Sequence, residues 1–471
     1  MAEPTTTRPP AHPANGRSAP IQTTLDELYK IGPGPSSSHT MGPMLAAYDF
    51  HHRALTLPTD VLRRATAVDV RLFGSLSATG RGHGTDRAAL AGLLGQAPAT
   101  CSPAFLDGLA ADPLRPRPLQ LAAASLSVNM DAVVFEDPAL PVPHPNTMTV
   151  RLLAGDTVLD SRRYFSVGGG FIEWDEYAPR RKGRPEHPYE TMSELRKHVA
   201  LGGVALPRLL LENEMAVGGR TEAEVWALVD QVIDAMLASV DNGLAREAGL
   251  LPGPLRLVSK ARTIFEGSLD NTVPSHRQIS QLSACAFAAA EENARGHIIV
   301  TAPTAGSAGV MAALVKALLD GAKFPRQAVR EGMLAAAAVG YLCKHNATLS
   351  GAEGGCQAEI GVASAMGAAM CAHVFGGSAR MVENAAESAL EHHLGLTCDP
   401  VGGYVQLPCI ERCAFGAVKA WAAFCIASDE AETRHRVDLD TTIAAMAMTA
   451  RDMSAKYKET AQAGLAAVVV C

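Results

Sequence analysis

Gln327-Ala-Val-Arg-Glu-Gly-Met-Leu-Ala-Ala-Ala-Ala-Val-Gly-Tyr-Leu342 decides the larger half of the fold. It is rich in Ala, Leu and Met, shows no two-residue alternation, and is too long for an ordinary strand, so it reads as a buried helix. Glu222 to Ser239 and Ser307 to Asp320 are of the same kind, separated by loops of Gly, Pro and Asn. Beyond Thr191 strand signals almost vanish. Upstream the periods mix. Ala67-Val-Asp-Val-Arg-Leu-Phe73 alternates like a strand, Thr85 to Leu94 repeats like a helix, and Met148 to Val167 reads as a hairpin turning at Ala154-Gly-Asp156. The expected architecture is an α+β N-terminal domain followed by a mainly α-helical catalytic domain. The expected divisions are a disordered extension over 1–20, the α+β domain over 21–172, a Pro-punctuated charged linker over 173–190, and an all-α domain with a C-terminal tail over 191–471.

Composition narrows the function. A chain of 471 residues, 48% hydrophobic and 19% charged, has material for two or three cores. A net charge of −7 and a pI near 6.1 argue against nucleic acid or an anionic membrane as the main partner, since either wants a basic face. The run Arg180-Arg-Lys-Gly-Arg184 is expected to be a solvated linker. Ile360 to Ala379 carries no formal charge, but its Ala, Gly, Ser and Met content with His373 inside suits a buried helix rather than a membrane span. Ten cysteines without a hydrophobic leader point to reduced thiols in a cytoplasmic protein, where ligation or burial explains them better than disulfides.

Four polar, Gly-rich stretches interrupt this background. Ile31-Gly-Pro-Gly-Pro-Ser-Ser-Ser-His-Thr-Met-Gly-Pro43 lies between helical segments at Thr24 to Lys30 and Met44 to Ala54. Its hydroxyls at Ser36, Ser38 and Thr40, with backbone N–H groups at a helix mouth, suit an anion such as a carboxylate. Gly74-Ser-Leu-Ser-Ala-Thr-Gly-Arg-Gly-His-Gly-Thr-Asp86 follows a strand and opens a helix, but lacks the Gly-Lys-Ser/Thr ending of a phosphate loop. Its His83, between two glycines, is expected to be exposed and conformationally free. His144-Pro-Asn-Thr147 is a tight turn with another histidine. The last stretch holds Cys356, Cys398 and Cys409, whose spacings match neither a zinc knuckle nor a ferredoxin run, so buried structural thiols and a cluster held between helices both remain open. The chain closes with Leu465-Ala-Ala-Val-Val-Val-Cys471, either a frayed end or a tail tucked in as a ligand.

Ser36-Ser-Ser-His-Thr-Met-Gly-Pro43, Gly80-Arg-Gly-His-Gly-Thr-Asp86, His144-Pro-Asn-Thr147, Ser166-Val-Gly-Gly-Gly170, Thr301-Ala-Pro-Thr304, Ser350-Gly-Ala-Glu-Gly-Gly-Cys-Gln357 and Cys398-Asp-Pro-Val-Gly-Gly403 together resemble the bacterial single-chain iron–sulfur L-serine dehydratases, from about Thr24 to Cys471. The resemblance implies a [4Fe–4S] cluster on Cys356, Cys398 and Cys409, with Cys471 capping the fourth iron at rest. It also implies L-serine as substrate, bound by Ser36, Ser38, Thr40, Asn146, Thr147, Asn346 and Ser350, and a homodimer. Ala305 stands where a polar residue is expected, and Cys413 and Cys425 look like extra, packing thiols.

Converting serine to pyruvate and ammonia requires loss of a weakly acidic Cα proton and of hydroxide. An iron with an open position can bind carboxylate and hydroxyl and weaken the C–O bond. His83 and His39, then His144, are the candidate bases, because imidazole titrates near neutrality. Pyridoxal-phosphate chemistry needs a lysine beside a phosphate loop, and Thr301 to Gly309 has none in such a context. Two competing functions are a hydro-lyase for a related hydroxy acid and a non-enzymatic iron–sulfur redox sensor.

Overall fold

The computed structural model describes residues 19–469 except 168, 179 and 180. The N-terminal half holds a five-stranded sheet whose strands, in spatial order, are β5 (Val133–Phe135), β2 (Ala67–Leu72), β6 (Thr147–Ala154), β7 (Thr157–Ser166) and β8 (Ile172–Trp174). The β2–β5 pair is parallel and the others antiparallel. Alternation in β2 buries Val68, Val70 and Leu72 against helices Gly42–Leu55 and Thr85–Leu93. A hairpin of β3 (Arg117–Leu121) and β4 (Ala124–Val128) adds to the same core.

From Met192 onward helices dominate, and β9, Ile298–Val300, is the one strand among the described residues. Helices Pro274–Arg295, Arg326–Asn346, Val362–Val374, Ala379–Glu391 and Cys409–Asp429 share one core. Small residues let them approach closely: a Cβ on Gly332 would stand 2.7 Å from Val374 and 2.9 Å from Met370. The uncharged stretch from Ile360 contains the buried helix Val362–Val374. Among the described residues no helix is long and apolar enough to cross a membrane.

The two halves are stitched together at the start of the described chain. Leu25, Leu28 and Tyr29 lie in the helical core, and β1 (Ile31–Pro33) pairs antiparallel with β9. The backbone N–H of Leu25 donates to the buried carboxylate of Glu214. Between the halves, Arg181, Lys182 and Arg184 belong to an irregular stretch, Tyr189 is buried, and Thr191 caps helix Met192–Gly202 by accepting from Glu194 N–H.

Candidate active site and metal centre

Three loops of the N-terminal half converge on two imidazoles. Ser36 to Met41 turn tightly into helix Gly42–Leu55, with Ser36 Oγ accepting from His39 N–H at 3.1 Å. His39 bonds Ser38 Oγ through Nδ1 and Ser75 Oγ through Nε2, both at 2.9 Å. Thr40 Oγ1 donates to the His83 carbonyl at 2.9 Å, and Thr85 Oγ1 donates to the His39 carbonyl at 2.6 Å, so the loops are cross-tied. The ring centroids of His39 and His83 are 4.8 Å apart.

His83 is only 8% exposed, which corrects the expectation of a free loop histidine. Of its flanking glycines, Gly84 has φ +59°, the left-handed region that favours glycine. His83 Nδ1 lies 3.0 Å from the Thr79 carbonyl. A carbonyl only accepts, so Nδ1 carries the proton and Nε2 keeps a lone pair. Burial lowers the basicity of both rings, His83 below the usual histidine range and His39 down to about 3, with His83 adding repulsion on His39.

The remaining predicted N-terminal residues position these loops. His144 Nδ1 accepts from Asn146 N–H at 3.0 Å, and the Pro145 carbonyl accepts from Ser75 N–H at 2.8 Å. Thr147 is buried with its hydroxyl on the His144 carbonyl, while Asn146 Nδ2 donates to the Ser166 carbonyl. Ser166 Oγ in turn donates to the Ser38 carbonyl at 2.7 Å.

The helical half supplies the thiols. Cys356 follows Gly355 at the entry to a helical stretch, Cys398 sits in a loop held by backbone bonds with Tyr457 and Glu459, and Cys409 opens helix Cys409–Asp429. All three are buried and free of disulfides. The sulfurs of Cys356 and Cys398 and a carboxylate oxygen of Glu359 lie within 4.8 Å of one another, a group that could hold a metal. Cys409 is near enough to sense charge on Cys356 and Glu359. Gly351 keeps the space open, since a Cβ there would stand 2.4 Å from Glu359 and 3.4 Å from Cys398 Sγ.

Charge in this pocket is unevenly shared. A hydrogen bond from Cys398, aided by the Arg412 guanidinium, holds the Cys356 thiol below the usual range against burial. The same bond pushes Cys398 up, and burial pushes Cys409 up. Burial and the Cys356 charge push Glu359 to about 8, while Thr304 Oγ1 donates to it at 2.8 Å. Arg412 also bonds Asp399 at 2.9 Å, and Asp399 accepts from Leu465 N–H at 2.8 Å, anchoring the start of the tail beside Cys398. Cys471 lies outside the described residues.

Ser350 precedes Gly351 at this pocket's rim; Asn346 Nδ2 is committed to the Glu190 and Leu342 carbonyls. Ala305 is buried with Met41 and Ile299, and Cys413 donates its thiol to the Gly306 carbonyl. Between the halves lies a cavity of about 300 Å³, walled by Arg81 to Gly84 on one side and Tyr404 to Gln406 on the other. Ser75, Glu359, Asp399 and Arg412 belong to these surroundings without having been named from the sequence, while Thr304, within a stretch whose polar residues are expected to suit substrate contacts, bonds Glu359. Two of them carry a helical signal, Glu359 three residues after Cys356 and Arg412 three after Cys409.

Residues 24–177 match the family profile described as serine dehydratase beta chain, and residues 202–466 that of serine dehydratase alpha chain. The chain therefore belongs to the serine dehydratase family, with both parts in one polypeptide. It is 39% identical over 457 residues to the L-serine dehydratase of Haemophilus influenzae, covering 94% of this chain and 99% of that protein. The L-serine dehydratase of Streptomyces coelicolor is 40% identical over 458 residues, covering 94% and 98%, and L-serine dehydratase 2 of Escherichia coli is 39% identical over 457, also 94% and 98%.

Proposed function

We propose that this chain eliminates water from L-serine to give pyruvate and ammonia. The carrying observation is the presence of three buried thiols in the helical half and a neutral, hydrogen-bonded histidine pair in the other, in a chain about 40% identical to L-serine dehydratases along nearly its whole length. Thiols from three separate segments suit a soft metal, and we assign Cys356, Cys398 and Cys409 to a [4Fe–4S] cluster, with Cys471 on its fourth iron at rest. When bound, the cluster supplies Lewis acidity at the iron that three thiolates leave uncommitted.

His83 is the base for the Cα proton. Its Nδ1–H is engaged by Thr79, which leaves Nε2 as the ring's acceptor, and burial disfavours the charged form. His39 stands beside it between Ser38 and Ser75. Ser36 and Ser38 contribute hydroxyls to substrate, Ser350 joins them from the helical side, and Thr40, His144, Asn146, Thr147 and Asn346 hold the walls. Proton loss from Cα and departure of the hydroxyl as water leave an enamine, which tautomerises to an imine and hydrolyses. The protein works in the cytoplasm as a homodimer, and Phe415 and Ile426, exposed three turns apart on one helix, are suited to the dimer contact. Iron and sulfide counts on anaerobically purified protein, taken with pyruvate formation from L-serine, test the assignment; a full cluster without pyruvate refutes it.

A further inference from the structure

Lys30 stands directly before β1 with its backbone fixed on Thr301. Its N–H donates to Thr301 Oγ1 at 3.0 Å, and Thr301 N–H donates to its carbonyl at 2.9 Å. The side chain turns onto Phe171, with Nζ 2.8 Å from the ring centroid. Its Cδ lies 3.2 Å from where a Cβ on Gly170 would stand, a position also bordered by Met41 and the Ser37 carbonyl. The Lys30 stem therefore packs against Gly170 beside the Ser37 carbonyl of the Ser36–His39 loop, and its ammonium rests on Phe171.

Among the described residues, the Lys30 ammonium has neither a hydrogen bond nor an ion pair, whereas the cation near it, Lys344, pairs with Glu27 at 3.8 Å. Lys344 Nζ is 5.8 Å from the same Phe171 ring, on the helix that ends at Asn346. Burial drives the Lys30 ammonium down to about 7, with Asp26 and Glu27 favouring its charge and Lys344 opposing it. A desolvated ammonium on an aromatic face, with carboxylates near it but none paired to it directly, can take an anion. Gly170, at φ +79°, leaves the room this side chain needs.

We propose that Lys30 receives the carboxylate of the amino-acid substrate, with Phe171 holding the ammonium at the mouth of the serine loop. This rests on the L-serine reading and gives the Ser166–Gly170 motif a role. A carboxylate has two oxygens, so the ion pair leaves one free for a second contact.

Steady-state kinetics of the anaerobically purified holoenzyme test it. Lys30→Met should raise KM for L-serine about 10- to 100-fold, as expected for a lost charge-assisted hydrogen bond, with kcat changed far less. Lys30→Arg should recover most of that loss. An unchanged KM in Lys30→Met, or an equal fall in kcat with no recovery in Lys30→Arg, overturns the proposal. Should Lys30→Met fail to fold, the wild type still decides: pulse acetylation with acetic anhydride, read by mass spectrometry, should modify Lys30, and saturating L-serine should protect it. Absence of protection overturns the proposal. Pyruvate formation without protection or a KM effect defeats this inference alone, whereas protection without pyruvate formation defeats the activity reading and leaves Lys30 as an amino-acid site.

Discussion

The imidazole loops and the thiol pocket are finished to different degrees. Around His39 and His83 the protein supplies its own partners: hydroxyls and carbonyls tie the loops, and burial keeps both rings neutral. Around Cys356 the protein leaves one thiol poised, two others held back, and an acid at Glu359 kept from ionising. Ionising all three thiols beside one another needs a cation stronger than the Arg412 guanidinium. One region is complete as polypeptide, and the other leaves a group of thiols and a carboxyl that could hold a metal.

The sharpest way to break this contrast is to remove a thiol. Cys398→Ser should lose cluster iron and all turnover, while Cys101→Ser, in the N-terminal core, should lose neither; full iron content in Cys398→Ser would erase the distinction. His83→Ala should instead keep its iron and lower turnover by about 10²–10⁴-fold. Normal turnover there would transfer the base role to His39 or His144. A smaller effect is expected at the tail: Cys471→Ala should keep the cluster, abolish any lag in progress curves and shorten the lifetime in air, and identical curves and lifetimes would remove the tail from the ligand set.

The smallest effect concerns stability. His39 is held down to about 3 when folded and returns to its usual value near 6.5 when unfolded. Its contribution is present above pH 6.5 and is lost as pH falls toward 3, because the unfolded chain takes up the proton first; between pH 6.5 and 5 this amounts to about 2 kcal/mol. Urea midpoints at pH 7 and 5 should differ less in His39→Asn than in wild type, and equal differences would mean the ring is not buried neutral.

Local pattern carries much of this structure. The alternation at Ala67–Phe73, the turn at Gly155 and the Ala-rich helix around Gly332 each depend on neighbours within a few residues, and each forms as expected. The burial of His83 is not legible in the same way, because its surroundings include the His39 ring and a loop tied by Thr40, which chain position does not reveal. Glu359 and Arg412 have a local signal, their helical spacing from cysteines, but a carboxylate and a guanidinium at that spacing serve equally well on a solvated face. Lys30 is illegible for a different reason: that no hydrogen bond or ion pair reaches its ammonium among the described residues is a property of everything around it.

The pairing of β1 with β9 also sets a schedule. About 270 residues separate the two strands, so at ordinary translation speeds the first waits roughly 15 to 50 s for the second to leave the ribosome. The serine loop that follows β1 can be tied to its neighbours in the same half, Ser75, His83, Thr85 and Ser166, well before β9 exists. A nascent chain halted before Ile298 should still present Leu25 and Leu28 to a protease or chaperone, and synthesis of the next few dozen residues should withdraw them.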